Sequence, residues 1–271
     1  MFAKDFTAVF PKDTRTVSVT GKICSQSCSH CGKKYLHNME NLEDTIRKGR
    51  RAYTSALISG GMNNKNYVPI DKCIGELKVM KSWGWKLNLH TGLINPEAAD
   101  KIKPFADKIS FDLVLDDNTI KAVYNIDKKG SDFLLAFDYL SASASVTPHL
   151  TIGLLGGEIK GEYEVINALA ERNIKELVFI VFKPTSGTDF EHKNPPSLEA
   201  AGKLISYARN KLPGVNFTLG CMRPKGKYNL ELEKLCLKYD FNKMVLPSKE
   251  TLSFVNEAGF NIVEKRECCI L

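Results

Sequence analysis

Cys24, Cys28 and Cys31 form a C-x3-C-x2-C run. Three thiols on one short loop can converge on a single metal centre. An iron–sulfur cube ordinarily takes four cysteines, and this stretch offers no local fourth. With three, one iron keeps an open coordination position where a small molecule can bind and react. The same run could instead hold zinc, with His30 or His37 as the fourth ligand. A second group lies late in the chain: Cys221 in Gly220-Cys221-Met222-Arg223-Pro224, and the adjacent pair Cys268 and Cys269. Cys73 and Cys236 stand inside helical patterns and read as packing residues. A chain of 271 residues needs no disulfide framework, and a reducing cytosol would not keep one. Crowding of cysteines into short stretches favours ligation.

The elements that must position these groups alternate along the chain. Residues 16–20 alternate with period two and read as a strand, which places the first cysteine run on the loop that follows it. Residues 56–59 are an apolar run stopped by Gly60-Gly61, and residues 87–90 another, stopped by Gly92. Further strand-like runs cover 109–113, 149–154, 177–182, 216–219, 244–246 and 261–263. Amphipathic helices are predicted over 70–83, 163–172, 198–212, 230–239 and 252–258. About eight βα units predict a TIM-type (βα) barrel, α/β in class, full or nearly closed, with parallel strands and outer helices. No linker or repeat divides it, so residues 1–271 read as a single domain. In such barrels chemistry sits at the C-terminal ends of the strands.

Composition bounds the partners. Hydrophobic residues make up 43% and charged residues 25%, which excludes a disordered or collagen-like chain. The net charge of +7 is spread along the sequence, as in Arg47-Lys48-Gly49-Arg50-Arg51, and reads as a solvated surface rather than a nucleic-acid footprint. No apolar run approaches the roughly 18 residues that span a bilayer. The start Met1-Phe2-Ala3-Lys4-Asp5 lacks a secretion signal. The expected setting is cytoplasmic, with no nucleic acid and no membrane.

The cysteine run after a first strand resembles the radical S-adenosylmethionine superfamily, biotin-synthase-like branch. The resemblance implies a 4Fe-4S cluster on Cys24, Cys28 and Cys31. The open iron would chelate the amino and carboxylate groups of S-adenosyl-L-methionine. An electron from the cluster would then cleave the sulfonium to methionine and a 5′-deoxyadenosyl radical. His30 stands where the family has an aromatic residue. Ser59-Gly60-Gly61-Met62 is similar to the family's Gly-Gly-Glu-like turn, whose backbone carbonyls approach the methionine amino group. Met62 replaces the usual acidic residue. Gly153-Leu154-Leu155-Gly156-Gly157 resembles the glycine-spaced stretch near the adenine, and Lys183-Pro184-Thr185-Ser186-Gly187-Thr188 resembles a Pro…Gly-Thr loop. Asp112 stands where family members place a polar residue on the ribose, since a carboxylate accepts from both hydroxyls. A structural hydrogen bond is the alternative.

The first motif, the GCMRP run and the terminal Cys-Cys together look most like the archaeal-type, two-protein lipoyl synthases. That branch implies sulfur insertion into an unactivated C–H bond of an octanoyl chain on a lipoyl carrier protein. Such enzymes are transferases (sulfurtransferases) of lipoate biosynthesis. The resemblance implies a second 4Fe-4S cluster as sulfur donor on Cys221, Cys268 and Cys269. It also implies a paired, related radical protein and an electron donor such as ferredoxin or flavodoxin. Arg223 would contact substrate or cluster; Asn88 and His90 would touch substrate or methionine, or serve structure. Residues 261–271 are expected as a C-terminal tail that returns to the active-site face, so that the second cluster faces the first across the barrel mouth. Adjacent cysteines on an extended tail point to opposite sides, so both bind one cluster only if the backbone turns. The competing readings are another radical sulfur-insertion or cofactor-maturation enzyme, and a non-catalytic zinc- or cluster-binding protein.

Overall fold

A computed structural model describes residues 5–271; the leader reading of residues 1–4 lies outside the described residues. The strands are β1 (Asp5–Val9), β2 (Thr14–Ser18), β3 (Glu40–Asn41), β4 (Ser55–Ser59), β5 (Lys86–His90) and β6 (Lys108–Asp112). They continue as β7 (Val146–Ile152), β8 (Glu176–Val181), β9 (Asn216–Leu219), β10 (Lys243–Val245) and β11 (Asn261–Lys265). The helices are α1 (Leu42–Lys48), α2 (Ile74–Ser82), α3 (Pro96–Ile102), α4 (Asp117–Thr119) and α5 (Gly130–Ser141). After them come α6 (Glu162–Ala170), α7 (Leu198–Lys211), α8 (Lys227–Lys238) and α9 (Lys249–Glu257).

All strands pair in parallel in one sheet, in the order β11-β1-β10-β9-β8-β7-β6-β5-β4-β2-β3. The sheet curls into a barrel left open between its edges: β1 and β2 follow each other in sequence yet sit far apart in the ladder. β11 runs beside β1 in register, Asp5 opposite Asn261 and Val9 opposite Lys265. The chain beyond it follows the β1–β2 connection, where the Asp13 backbone N–H donates to the Arg266 carbonyl and Arg266 forks onto the Asp13 carboxylate.

The pleat sorts side chains between two environments. Leu87 and Leu89 of β5, Ile109 and Phe111 of β6, and Leu150 and Ile152 of β7 face the helices and are buried in the main core. The alternate residues Asn88, His90, Ser110, Asp112, Thr147 and His149 face the barrel interior, because successive side chains leave opposite faces of a strand. The interior wall is therefore polar over these strands. Parallel strands buried on both faces are ordinarily apolar on both.

The structure corrects the element reading in two places. The strand before the cysteine run spans Thr14–Ser18 and is the second; Asp5–Val9 precedes it. Helices α1, α3, α4 and α5 and the short strand β3 were also unforeseen. In α5 the Asp132 carboxylate caps the start by accepting from the Lys129 N–H at 2.8 Å, and Phe133, Phe137 and Leu140 bury one face.

Candidate functional site

The cysteine loop is stitched to the end of β4. Ser18 Oγ donates to the Gly21 carbonyl at 2.6 Å and turns the chain out of β2. The Ser25 N–H then donates to the Met62 carbonyl at 2.8 Å, and the Gly61 N–H donates to Thr20 Oγ1 at 2.7 Å. Gly61 is glycine for a steric reason. A Cβ there would lie 2.0 Å from the Ile23 carbonyl oxygen and 2.6 Å from Cys24 Cα. The loop and the glycine turn thus share one end of the barrel, the C-terminal ends of β2 and β4.

Backbone N–H groups of Cys31 and Gly32 both donate to the Cys28 carbonyl, at 3.2 and 3.0 Å. This turn brings two thiols together. The bond from Cys28 lowers the Cys31 thiol to about 7, while Cys28 itself is raised by that bond, by burial and by the charges of Cys31 and Cys24. Cys28 Sγ also lies 3.6 Å from Gln26 Oε1, and Gln26 Nε2 donates to Asn66 Oδ1 at 2.9 Å. His30 is held edge-on to Tyr124 at 5.8 Å between ring centroids. Burial lowers its pKa to about 4, so the ring is neutral, and its buried Nδ1 has no hydrogen-bond partner. His37 is exposed on the following 3₁₀ turn. Among the described residues no three His, Cys, Asp or Glu side chains converge as a single-ion site.

Ser59, His90 and Asp112 are the last residues of β4, β5 and β6. Ser59 Oγ lies 3.2 Å from His90 Nδ1, and His90 Nε2 lies 3.1 Å from Asp112 Oδ2. Burial alone would raise the Asp112 carboxyl. The charge and hydrogen bond of His90 hold it at about 2. Burial opposes charging of His90, but the same carboxylate raises its pKa above the ordinary value. A cleft of about 390 Å³ lined by Gln26, Met62, Asn66, His90, Asp112 and Tyr124 opens beside the cysteine loop. Asp112 keeps 36% of its side-chain surface exposed there.

The C-terminal tail does not return to the active-site face. Glu267 pairs with Thr54 and Lys86, and the Cys268 N–H donates to Thr14 Oγ1, all at the starts of β4, β5 and β2. Lys243 at the start of β10 donates to the Cys269 carbonyl at 3.1 Å. The tail therefore enters from the N-terminal ends of the strands and forms a floor beneath the site. The physical reason is β11, whose parallel register with β1 delivers the chain beside the β1–β2 connection. Inside, Cys269 and Ile270 pack on Val9, Val178 and Val245. Asn88 Nδ2 donates to Cys268 Sγ at 3.5 Å. A bond from Cys269 lowers Cys268 to about 6, and Cys269 is raised by that bond and by burial. Cys221, two residues past β9, is raised by burial and by the Cys268 charge. Cys268 and Cys269 thus lie inside the barrel, while Cys221 stays exposed on the loop past β9, near enough for the Cys268 charge to act on it.

Arg223 is corrected. Nε donates to Asn229 and Nη1 to the Gly220 carbonyl, while Nη2 donates to Glu233 and to the Leu246 carbonyl, at 2.9 and 3.2 Å. The guanidinium is buried and committed to a buried carboxylate, with 5% and 0% side-chain exposure. It ties the β9 loop to α8 and offers substrate nothing. Gly153 ends in a left-handed conformation (φ 72°) against Pro196, its N–H donating to the buried Glu162 carboxylate at 2.7 Å. Pro184 lies exposed on the loop after β8. Cys236 is fully buried in the helical layer, and Cys73 is half-buried ahead of α2.

Sequence reading named Ser59, His90 and Asp112 singly and missed that they are linked. The available signal was positional, since each polar residue closes its own apolar run. Gln26, Asn66 and Tyr124 carried no signal, because only the fold brings their loops to the cleft.

The sequence matches no family model and no curated protein. Solved structures are similar in fold. Methylornithine synthase (PylB) superposes with a TM-score of 0.64 at 13% identity, covering 96% of this chain and 84% of its own. The FeFe-hydrogenase maturase HydG from Carboxydothermus hydrogenoformans gives 0.67 at 14% identity, over 95% of this chain and 67% of that one. SuiB from Streptococcus suis bound to S-adenosylmethionine gives 0.58 at 14%, over 82% of this chain and 52% of its own. What these likenesses establish is the fold: a parallel, curled α/β sheet with outer helices, a TIM-like partial barrel.

Proposed function

We propose that the chain is a radical S-adenosylmethionine enzyme. The carrying observation is the seating of the Cys24–Cys28–Cys31 loop against Gly61, with space for no side chain between them. Three further features fit a 4Fe-4S cluster with a bound adenosyl cofactor. These are a thiol set in which Cys31 is already acidified, the unpartnered Nδ1 of His30, and a carboxylate at Asp112 facing the cleft. The similar fold of a SuiB structure bound to S-adenosylmethionine supports the same reading. When bound, the cluster and cofactor would supply an electron and a 5′-deoxyadenosyl radical able to take hydrogen from an unactivated C–H bond.

The residues of this chain would bind and shield. Cys24, Cys28 and Cys31 would hold the cluster. The carbonyls around Gly60 and Gly61 would receive the methionine amino group, and Asp112 the ribose hydroxyls. Backbone around Gly153 and the loop carrying Pro184 would border the adenosyl group.

For the reaction, we propose sulfur insertion of the lipoyl-synthase kind, on an octanoylated carrier protein. The support is the neighbourhood of Cys221, Cys268 and Cys269, whose thiols could hold a second 4Fe-4S cluster as sulfur source. That cluster would sit between the tail and the loop past β9 that carries Cys221. A paired radical protein and a ferredoxin- or flavodoxin-like donor belong to the same proposal. The test is anaerobic reconstitution, iron and sulfide quantitation, and assay of 5′-deoxyadenosine with and without octanoylated carrier protein. Formation of 5′-deoxyadenosine without thiolated product would leave a radical enzyme of another substrate. No 5′-deoxyadenosine under any condition would defeat the radical reading.

A further inference from the structure

The link Ser59–His90–Asp112 has the connectivity of a nucleophilic triad: hydroxyl, imidazole, carboxylate. Two observations argue against that chemistry. Ser59 is buried at 8% exposure, so a substrate carbonyl has no approach to its Oγ. The exposed end of the chain is the carboxylate, which opens on the cleft. The direction of the link is therefore reversed: it ends in an acceptor presented to a ligand.

Both ring nitrogens of His90 are occupied, one by Ser59 and one by Asp112. Neither is free to exchange a proton with substrate. The ring's place is to hold Asp112. Among the described residues no protein donor reaches Asp112 Oδ1, while Oδ2 is taken by His90. A carboxylate with one oxygen clamped has a fixed plane, so its other oxygen points in a fixed direction. Ser59 fixes the ring in turn. Its hydroxyl can donate to Nδ1 when the imidazole is neutral and accept when it is charged, so it suits either form. The strand register supplies the spacing: Asp112 lies opposite His149 across β6 and β7, and His90 ends the neighbouring strand.

We propose that His90, braced by Ser59, is a positioning residue that orients the Asp112 carboxylate to receive the vicinal hydroxyls of a nucleoside ribose. This rests on the cofactor reading given under the proposed function, and it makes the discrimination between ribose and hydroxyl-free analogues by Asp112 depend on a residue whose two ring nitrogens are both committed to protein partners. A merely structural His90 would change stability but would leave that discrimination alone.

The test is competition of adenosine and of 2′,3′-dideoxyadenosine against labelled S-adenosylmethionine on the anaerobically reconstituted protein. A charge-assisted hydrogen bond predicts that the wild type prefers adenosine by about 10-fold or more. Asp112→Ala should reduce the preference to about 2-fold or less. His90→Phe should do the same although Asp112 remains, because removal of the clamp and removal of the carboxylate act through one interaction. His90→Gln, whose amide can donate to Asp112 and accept from Ser59, should restore most of the preference. It serves as the folded control, with unchanged iron content. A wild-type preference retained in His90→Phe, or absent from His90→Gln with its iron content intact, overturns the proposal. So does covalent labelling of Ser59 by a fluorophosphonate probe. Binding of S-adenosylmethionine that neither nucleoside displaces overturns it while leaving the radical reading standing. No binding of S-adenosylmethionine by the reconstituted wild type removes the cofactor reading itself.

Discussion

The side-chain amide of Asn88 donates to Cys268 Sγ at 3.5 Å, joining the middle of β5 to the last turn of the chain across a sequence separation of 180. Asn88 is buried and also accepts from Ser110 Oγ at 2.9 Å. Its amide therefore spans wall and floor. Asn88→Leu should remove both bonds and leave the Ser110 hydroxyl without its acceptor. The expected cost is about 1–3 kcal/mol in urea unfolding. Amide exchange at Cys268–Leu271 should quicken more than at α7, which is remote from the floor. Uniform quickening would mean that the tail is not held by this contact.

Two glycines should respond in opposite directions to alanine. Gly61→Ala drives a methyl into the Ile23 carbonyl and the Cys24 backbone, so the cysteine loop must move. Iron retention after reconstitution should fall severalfold, with lower stability. Gly75, near the start of α2, has nothing within 4 Å of a built Cβ. Gly75→Ala should stabilise by about 0.4–1 kcal/mol, by restricting the unfolded chain and favouring helix. Equal effects at the two sites would contradict the close approach at Gly61.

Much of this was legible in the sequence, for specific reasons. β5 and β8 were readable because their apolar runs are bounded by polar or glycine residues. The spacing of Cys24, Cys28 and Cys31 is local, so it survived without tertiary information. The position of the tail was not readable. Residues 261–263 announced a strand, but the partner of that strand is β1, and β1 itself carried only a weak pattern in five residues. Without β1 the tail had no track to follow, and its cysteines were assigned to the wrong end of the barrel. Arg223 failed differently. An arginine after a strand looks the same in sequence whether it faces a ligand or a buried glutamate ten residues later.

The pair His90–Asp112 should give stability a defined pH window. His90 is raised above its ordinary value of 6.5, so its contribution is complete below about 6.5 and is lost as pH rises through the higher folded value. Asp112 is lowered from 3.8 to about 2, so its contribution is complete above about 3.8 and is lost as pH falls toward 2. Both partners are charged in the native state between those limits. The stability difference between wild type and His90→Phe should therefore be largest between about pH 4 and 6.5 and should shrink on either side. A difference independent of pH would show that the pair is not ionised.

Arg223 should matter to folding and not to ligand choice. Arg223→Met leaves the Glu233 carboxylate buried without its cation, though Ser248 and Thr251 still donate to it. Breaking a buried pair from one side costs about 3–5 kcal/mol. Urea midpoints should fall accordingly. 5′-Deoxyadenosine formation per folded protein should hold within about 2-fold, an allowance worth about 0.4 kcal/mol. A selective loss of activity in a stably folded variant would return Arg223 to the site.

The late cysteines give the most direct test of the second cluster. Cys268 and Cys269 share a hydrogen bond, and the charge of Cys268 raises the exposed Cys221. The extended geometry that would separate adjacent side chains is absent, because the chain turns here: the Leu271 N–H donates back to the Cys268 carbonyl at 3.0 Å. Two four-iron cubes predict about eight irons in the fully reconstituted protein. Alanine at Cys24, Cys28 and Cys31 together should leave about four, and alanine at Cys221, Cys268 and Cys269 together should leave the other four. The second variant should still cleave S-adenosylmethionine while losing thiolated product, since only the sulfur source is gone. Single Cys28→Ala should abolish cleavage. If the first triple variant stays folded and carries no iron or sulfide, the late cysteines hold no cluster, and sulfur insertion loses its donor while the radical chemistry stands untouched.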